Sequence, residues 1–329
     1  MSGPARRARR ARRARGPSAG AGIVFGVDLG GTKLRAALAD DTGTILAELV
    51  EPTVHGSGEE IVAQVVAALT ALEARAGVTR GVVRAAGLGL PLAVDPRTGA
   101  AWSFHNVPGL GELDVTAAFR DALGVPVALD NDGNCAALGE GRAGAAIGVA
   151  DFAVLVIGTG IGSGIVAGGR LLRGAHGGAG EVAFLPLGSD PWDERNRVLG
   201  SYETAVAGPA VRARLAAALG AGAATTLATG AGLAAIATEA AAGDALASRI
   251  LDEEARYVAL GIVAISAVTD PEVVVLSGGV GAIGALLEPV REHVATLAAR
   301  PPRVVTGLLG ERAPLVGAIG LALDLGPQA

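Results

Sequence analysis

One pattern, an apolar strand followed by a glycine-rich turn and a returning strand, occurs twice in this chain. It covers residues 23–46, with its turn at residues 30–33, and again residues 152–172, with its turn at residues 158–164. Runs of apolar and β-branched residues bounded by glycine indicate strands joined by tight turns. The repetition predicts two copies of one fold unit that face each other across a cleft. A chance similarity between two glycine-rich hairpins is the alternative.

Helix and strand patterns alternate along the rest of the chain, which predicts a mixed α/β sheet in each half. The predicted elements are helices at 58–76, 114–123, much of 203–269, 284–299 and 315–325, and strands at 85–90, 125–129 and 273–276. We therefore expect an N-terminal α/β domain over residues 23–131 and a C-terminal α/β domain over residues 132–314. The final helix, 315–325, is expected to pack back on the first domain.

The chain has 329 residues and a formal net charge of -5, but its charges are unevenly distributed. Seven arginines lie between Arg6 and Arg15 and are followed by glycine, proline and serine, which predicts a disordered basic arm over residues 1–22. Contact between this arm and nucleic acid is an open alternative. Aromatic residues make up only 3% of the chain, so we expect no stacking platform for single-stranded nucleic acid.

Cysteine content and hydropathy indicate where the protein acts. The single cysteine, Cys135, excludes an intrachain disulfide framework and a cysteine-rich zinc site. The longest uncharged stretch, residues 215–238, is interrupted by glycines and threonines, so no membrane span is expected. These features predict a soluble protein of the cytoplasm.

Lys33 is the only lysine in the sequence, and it follows Asp28, Gly30, Gly31 and Thr32 at the end of the first predicted strand. A compact ammonium group beside glycines and an aspartate indicates a turn that binds phosphate. Asp28 is expected to hold hydrated Mg²⁺, because this ion prefers one or two carboxylates together with phosphate oxygens. Thr32 and Lys33 would then contact the terminal phosphates. Chance in an arginine-rich composition is the alternative for the lysine alone.

Two later glycine turns strengthen the prediction of nucleotide binding. They contain Gly158, Thr159 and Gly160 in the second repeat, and Gly278 and Gly279 after a further strand. Because glycine has no β carbon, the backbone N–H groups of such turns can approach a polyphosphate closely. The Walker sequence and a strict G-x-G-x-x-G are both absent, which argues against a P-loop NTPase and a Rossmann dehydrogenase.

A polar cluster at residues 130–134 follows the predicted strand at 125–129. In open α/β sheets, ligands bind at such carboxyl ends of strands. Phosphoryl transfer to an alcohol requires a carboxylate that accepts the hydroxyl proton, and Asp132 is the best candidate. Asn131 beside it is expected to bond neighbouring hydroxyls. A helix N-cap supplied by Asp132 or Asn134 alone is the alternative.

These segments resemble the ROK family of bacterial sugar kinases and sugar-responsive repressors. The resemblance covers residues 24–320 and is carried by residues 27–33, 129–132, 157–164, 180–184 and 276–279. It implies a duplicated actin/hexokinase-like fold, which is also ribonuclease H-like, with two domains around a cleft. It further implies ATP with Mg²⁺ as phosphoryl donor, the 6-hydroxyl of glucose or a related hexose as acceptor, Asp132 as general base and a homodimer. The residues that it assigns to the sugar hydroxyls are Asn106, Asn131, Glu181 and Glu203.

The chain departs from the family pattern where zinc-bearing members have a histidine followed by a cysteine cluster. Phe184 replaces the histidine, and Glu194, Asn196 and Ser201 stand where the thiols are found. We therefore expect no zinc, and we interpret His176 as structural rather than as a metal ligand. The phenyl ring of Phe184 also leaves the specificity for glucose open.

The leading hypothesis is an ATP-dependent sugar kinase of the glucokinase type. One alternative is a sugar-sensing transcription regulator that lacks its helix-turn-helix. Two points argue against it: the residues before the first predicted strand are expected to be too few for that motif, and an arginine run gives phosphate affinity without base readout. Another alternative is a kinase that acts on an amino sugar or a cyclitol, or that uses polyphosphate as the donor.

Overall fold

The computed structural model describes residues 22–79, 81–102 and 107–326. The predicted arm over residues 1–22 lies outside these ranges except for Gly22, and Asn106 also lies outside them. The described part of the chain forms two five-stranded sheets and a short two-stranded hairpin.

The first sheet has its strands in the order β3-β2-β1-β4-β7. These strands are β1 (Ile23–Leu29), β2 (Lys33–Ala39), β3 (Ile45–Pro52), β4 (Val83–Leu90) and β7 (Val127–Asn131). The first three strands are antiparallel, as tight turns require, whereas β4 and β7 run parallel to β1. The hairpin of β5 (Ala93–Val94) and β6 (Ala101–Trp102) follows β4.

The second sheet repeats this arrangement in the order β10-β9-β8-β11-β12. Its strands are β8 (Phe152–Ile157), β9 (Ile161–Ala167), β10 (Arg170–Leu171), β11 (Val273–Ser277) and β12 (Arg303–Thr306). Again three antiparallel strands are followed by two that run parallel to the first, so every strand of the second sheet has a counterpart in the first sheet. The two predicted hairpins are therefore equivalent parts of two similar units.

Helices connect the strands and cover the sheets. They are α1 (Gly58–Ala76), α2 (Val115–Leu123), α3 (Asp132–Ala143), α4 (Glu194–Leu199), α5 (Glu203–Val206), α6 (Gly208–Gly220), α7 (Leu233–Ala241), α8 (Ala245–Thr269), α9 (Gly278–Gly281), α10 (Gly284–Leu297) and α11 (Ala313–Asp324). Local sequence sets several of their ends: α1 begins at a capping box formed by Ser57 and Glu60 and stops at Gly77, whose φ is 65°. Among the helices of the described residues, none is both long and apolar enough to cross a lipid bilayer.

Helices α3 and α11 pack against each other between the two sheets. Helix α11 lies on β1 and β4 of the first sheet, whereas α3 lies on β8 and β9 of the second. Glycines permit this close approach: a β carbon at Gly317 would overlap the carbonyl oxygen of Cys135, and one at Gly87 would overlap the carbonyl oxygen of Ala318. This pair of helices therefore fixes how the two sheets meet.

The returning strand of the second repeat begins earlier than predicted. Gly162 and Gly164, which the sequence analysis assigns to a turn, lie in β9 and pair with β8, so that only residues 158–160 form the turn. These glycines permit a close approach between elements and do not form a turn. A β carbon at Gly164 would lie 2.5 Å from the carbonyl oxygen of Gly133, so the first turn of α3 packs directly on β9.

Gly317→Ala is expected to destabilise the protein, because the added methyl group cannot be accommodated unless α11 moves away from α3. We expect the free energy of unfolding to fall by about 1–3 kcal/mol, measured by denaturant titration with circular dichroism. The matched control is Gly220→Ala at the exposed end of α6, where no atom lies within 4 Å of the new methyl group. Equal stabilities of the two variants would contradict this account of the packing.

Candidate active site

The carboxyl ends of β1, β4 and β7 bring two aspartates to one edge of the first sheet. Asp28 is the penultimate residue of β1, and Asp132 begins α3 directly after β7. The second sheet closes over the same point, because a β carbon built on Gly162 of β9 would lie 3.7 Å from Oδ1 of Asp132. Asp132 therefore lies where the two sheets meet, and it is only partly exposed.

Asn131 is the N-cap of α3. Its Oδ1 accepts hydrogen bonds from the backbone N–H groups of Gly133 at 2.8 Å and Asn134 at 3.4 Å. Its Nδ2 donates to the carbonyl oxygen of Leu92 at 3.2 Å. The alternative that Asp132 or Asn134 alone supplies the cap is therefore wrong. The cap lies one residue earlier, where a side-chain oxygen can reach the second and third N–H groups of the helix.

Three carboxyl groups of this region have raised pKa values, chiefly because they are buried. Burial raises the pKa of Asp28 to about 7, and the negative charge of Asp132 adds to this shift. Burial also raises the pKa of Glu181 to about 7, with further contributions from Asp132 and Glu203. The pKa of Asp132 itself is raised to about 6 by burial. Asp132 is thus within electrostatic reach of both Asp28 and Glu181, and Glu181 is within reach of Glu203.

Glu181 ends a loop, residues 172–181, that follows the hairpin of β9 and β10. The hydroxyl of Ser163 in β9 donates a hydrogen bond to the carbonyl oxygen of Gly180 at 2.7 Å. Gly180 has a φ of 92°, a conformation that side chains other than glycine rarely adopt. The residue before Glu181 is therefore held by the second sheet.

His176 lies in the same loop and has partners from the β5–β6 hairpin. Nε1 of Trp102 donates to its carbonyl oxygen at 2.7 Å, and its Nδ1 lies 3.3 Å from a carboxylate oxygen of Asp95. Hydrogen bonds, chiefly from the backbone N–H of Arg97, lower the pKa of Asp95 to about 2. This setting agrees with a structural role for His176. In the described ranges, no group of three or more histidine, cysteine, aspartate or glutamate side chains is arranged to hold a metal ion.

Glu203 contacts the second glycine turn. Its Oε2 accepts a hydrogen bond from the N–H of Ile161 at 2.9 Å, immediately after Gly160. A few residues later, the N–H of Gly208 at the start of α6 donates to the carbonyl oxygen of Gly158 at 2.8 Å. A residue predicted to bind the sugar is therefore in direct contact with a turn predicted to bind the nucleotide.

The third glycine turn lies beside the second, because β11 and β8 are parallel neighbours. Gly278 has a φ of 82°, and a β carbon there would overlap the carbonyl oxygen of Ile157. At Gly158 and Gly279, by contrast, a β carbon would meet no atom within 4 Å. The two turns thus present open backbone at the ends of adjacent strands, which is what close approach of a phosphate requires.

The first glycine turn is closed by its own backbone and supported by Thr53, the residue after β3. The N–H of Gly30 donates to the carbonyl oxygen of Lys33 at 2.9 Å, and the hydroxyl of Thr53 donates to the carbonyl oxygen of Gly30 at 2.7 Å. Gly31 is half-buried, whereas Thr32 and Lys33 are exposed. Two exposed polar side chains therefore project from a well-held turn.

Lys33 has a partner that the sequence analysis missed. Its Nζ lies 3.4 Å from the carboxylate of Glu311, and 58% of its side chain is exposed. Arg35 contacts the same carboxylate at 3.1 Å and also binds Glu48 at 2.8 Å. The two-residue spacing of a strand places Lys33 and Arg35 on one face of β2, so this second cation was detectable from sequence. The distant Glu311 carried no such signal.

The described structure has the architecture of a known fold class. Two sheets of matching strand order, with helices between them and polar groups at the ends of their strands, define the duplicated actin/hexokinase-like α/β fold. The sequence profile of the ROK family matches residues 24–325, and the chain belongs to this family. The predicted fold and the predicted family are both confirmed.

Several proteins that this chain is similar to are named as sugar kinases. The bifunctional enzyme NanE/NanK of Brucella suis is 34% identical over 316 residues, which cover 91% of this chain but 53% of that protein, so the chain spans about half its length. An N-acetylmannosamine kinase of Citrobacter koseri is 31% identical over 86% of this chain and 95% of its own. A ROK family glucokinase from Streptomyces griseus, in complex with glucose and AMPPNP, aligns with a TM-score of 0.72 and 29% identity, covering 93% of this chain and 100% of that one. These relatives support the predicted sugar kinase.

Asp28→Asn is expected to stabilise the protein at pH 8. The pKa of Asp28 rises from 3.8 to about 7 on folding, so the stability that its protonated form contributes is complete below pH 3.8 and is lost as the pH rises through 7. Asparagine should therefore raise the melting temperature by ~2 °C or more at pH 8, and by less at pH 5. The control is Asp121→Asn, which alters an exposed side chain of α2. A gain that does not depend on pH would contradict the assignment.

Proposed function

We propose that this chain is an ATP-dependent sugar kinase that phosphorylates the 6-hydroxyl of glucose or a related hexose. The observation that supports this most is the position of Asp132, a carboxylate at the junction of the two sheets. It lies within electrostatic reach of Asp28 near the first glycine turn and of Glu181 on the opposite loop. An acceptor hydroxyl and a phosphoryl donor can therefore meet at one base.

Asp132 is the proposed general base. Burial raises its pKa to about 6, so at pH 7 to 8 the carboxylate is mostly ionised and yet more basic than an exposed aspartate. The hydrogen bond from the N–H of Gly133 at 2.8 Å holds one of its oxygens in place. In the proposed reaction, Asp132 takes the proton of the sugar hydroxyl as that oxygen attacks the γ-phosphorus of ATP, and the bond from this phosphorus to the bridging oxygen breaks so that ADP leaves.

Glu181 and Glu203 are proposed to bind the acceptor together with Asn131 and Asn106. A carboxylate accepts two directed hydrogen bonds, which suits neighbouring hydroxyls of a sugar. The amide nitrogen of Asn131 has two hydrogens and donates one of them to Leu92, so the other is available for a hydroxyl. Asn106 follows the β5–β6 hairpin in sequence, and its assignment stays a prediction.

The glycine turns are proposed to bind the donor. Open backbone at Gly158 and Gly279 fits a polyphosphate, and the exposed ammonium of Lys33 fits its terminal end. Asp28 is an oxygen ligand of the kind that Mg²⁺ prefers, and Mg²⁺ held there would neutralise phosphate charge. Its raised pKa fits this role, because a cation beside Asp28 would relieve the repulsion from Asp132.

An amino sugar is the second candidate acceptor. The similarity to an N-acetylmannosamine kinase favours it, and Phe184 stands where zinc-bearing family members have a histidine. Phe184 is 44% exposed, so its ring offers apolar surface that suits an acyl group better than a hydroxyl. A homodimer, a cytoplasmic location and the absence of zinc stay predictions.

An acceptor and donor panel tests the proposed function. Purified protein is incubated with Mg-ATP or polyphosphate and with glucose, mannose, N-acetylmannosamine, N-acetylglucosamine or inositol, and the phosphorylated product is measured. We expect one hexose to be converted well above the others. A sugar that binds without any turnover would favour the sugar-sensing regulator instead, and no turnover above an Asp132→Ala control would contradict the kinase.

Asp132→Asn is expected to lower kcat by about 100-fold or more, because the amide keeps the shape of the side chain but cannot accept the proton. Sugar affinity, measured by calorimetry, should change little. Asp121→Asn serves again as the exposed control. Equal losses of affinity and turnover would count against Asp132 as the base.

Lys33→Arg is expected to weaken donor binding, because the planar guanidinium is bulkier than the ammonium. Arg35 already places one guanidinium on the same face of β2, so a second would add bulk beside it. We expect the KM for ATP to rise about threefold or more while the KM for the sugar stays constant. Initial rates over a range of ATP concentrations provide the measurement. Wild-type constants for ATP would make the lysine incidental.

A further inference from the structure

An ion pair joins the loop that carries Glu181 to the strand that carries the proposed base. Arg173 lies in the loop of residues 172–181, and Asp130 lies near the end of β7. Nε and Nη2 of Arg173 bind one oxygen, Oδ2 of Asp130, at 2.8 and 2.7 Å. Only 6% of the Asp130 side chain is exposed, so this charge-assisted contact is shielded from solvent at one end.

The Asp130 end of the pair is attached to the first turn of α3. Oδ1 of Asp130 accepts hydrogen bonds from Nδ2 of Asn134 at 2.7 Å and from the backbone N–H of Asn131 at 2.9 Å. Asn131 in turn caps the helix that begins with Asp132. Asp130 therefore binds the backbone directly before the proposed base and a side chain of the helical turn after it.

The Arg173 end of the pair lies at the start of the loop that ends at Glu181. The carbonyl oxygen of Arg173 accepts a hydrogen bond from the N–H of Ala179 at 3.1 Å, which closes the loop on itself. Gly180 is then held by Ser163, and Glu181 follows directly. The loop is thus tied back to Arg173 at Ala179 and anchored to β9 at Gly180, directly before Glu181.

Electrostatic repulsion between Glu181 and Asp132 acts against the arrangement that the Arg173–Asp130 ion pair holds. Glu181 and Asp132 are both acidic and both half-buried, and the pKa of Glu181 is raised first by burial and then by the charge of Asp132. Repulsion between two partly desolvated carboxylates favours a wider separation of the loop from α3. The ion pair between Arg173 of the loop and Asp130, two residues before Asp132, opposes that movement because it attracts the loop to the end of β7.

We propose that Arg173 is a positioning residue that holds Glu181 and Asp132 at the separation needed to bind the acceptor sugar and deprotonate its hydroxyl. This inference rests on the proposed kinase function. Arg173 does not itself contact the reacting atoms. It acts through Asp130 on one side and through its own loop on the other.

The role makes a selective kinetic prediction. In Arg173→Gln, the KM for the sugar should rise and kcat should fall by about tenfold each, since misplacement of a reacting group by about 1 Å lowers rates strongly. The KM for ATP should stay within about twofold, because the glycine turns are held by other contacts. Arg173→Lys keeps the charge but loses the two-pronged contact, so it should recover part of the sugar affinity.

Three controls separate this role from a general loss of stability. Arg170→Gln alters an exposed arginine of β10 and should leave all constants unchanged. Melting temperatures of all variants are measured, and Arg173→Lys carries the test if Arg173→Gln does not fold. Sugar affinity is also measured by calorimetry, which does not depend on turnover.

The outcomes distinguish the inference from the function on which it rests. Unchanged sugar constants in a folded Arg173→Gln protein, or equal changes in the KM for sugar and for ATP, would overturn the positioning role while leaving the kinase intact. A wild-type protein that neither binds nor phosphorylates any sugar of the panel would overturn both. A selective loss for the sugar with partial recovery in Arg173→Lys supports the proposal.

Discussion

The position of α3 between the two sheets is the constraint on which the site depends. Its first turn packs on β9 through Gly133 and Gly164, and its side packs on α11 at Gly317. At its far end, buried Glu140 accepts hydrogen bonds from the backbone N–H groups of residues 145, 308 and 309, which ties the helix to the segment after β12. Asp132, at the start of this helix, is therefore fixed relative to both sheets.

The same arrangement concentrates negative charge where burial is unfavourable. Asp28, Asp132 and Glu181 all have raised pKa values, chiefly because burial removes water from their carboxylates. Such groups weaken the fold at neutral pH, and residues of this kind cluster where chemistry needs them. On the side of the first turn, Arg35 is paired with Asp28 across β1 and β2, and both Arg35 and Lys33 contact Glu311. The proposed function gives this unfavourable clustering a physical reason.

The sequence predicted most strands, the duplication and the three glycine turns, because period-two patterns and glycine are local signals. The position of β12 at the edge of the second sheet, beside β11, and the place of Gly162 within β9 depend on strand pairing, which no local signal specifies. Among site residues, Asp28 and Asp132 stood at recognisable strand ends. The contacts of Glu311 with Lys33 and of Arg173 with Asp130 join residues far apart in the chain, so only the folded structure could reveal them.

The most direct test of the account is the pH dependence of kcat/KM for the preferred sugar at saturating Mg-ATP. If Asp132 must be ionised to take the proton, activity falls as the pH decreases from 8 to 5, with an apparent pKa of about 6 to 7 set by the coupled carboxyl groups. Circular dichroism at each pH establishes that the protein stays folded, so that the fall in kcat/KM is not caused by unfolding. A profile that stays flat between pH 5 and 8 in the folded protein would contradict a buried carboxylate as the base.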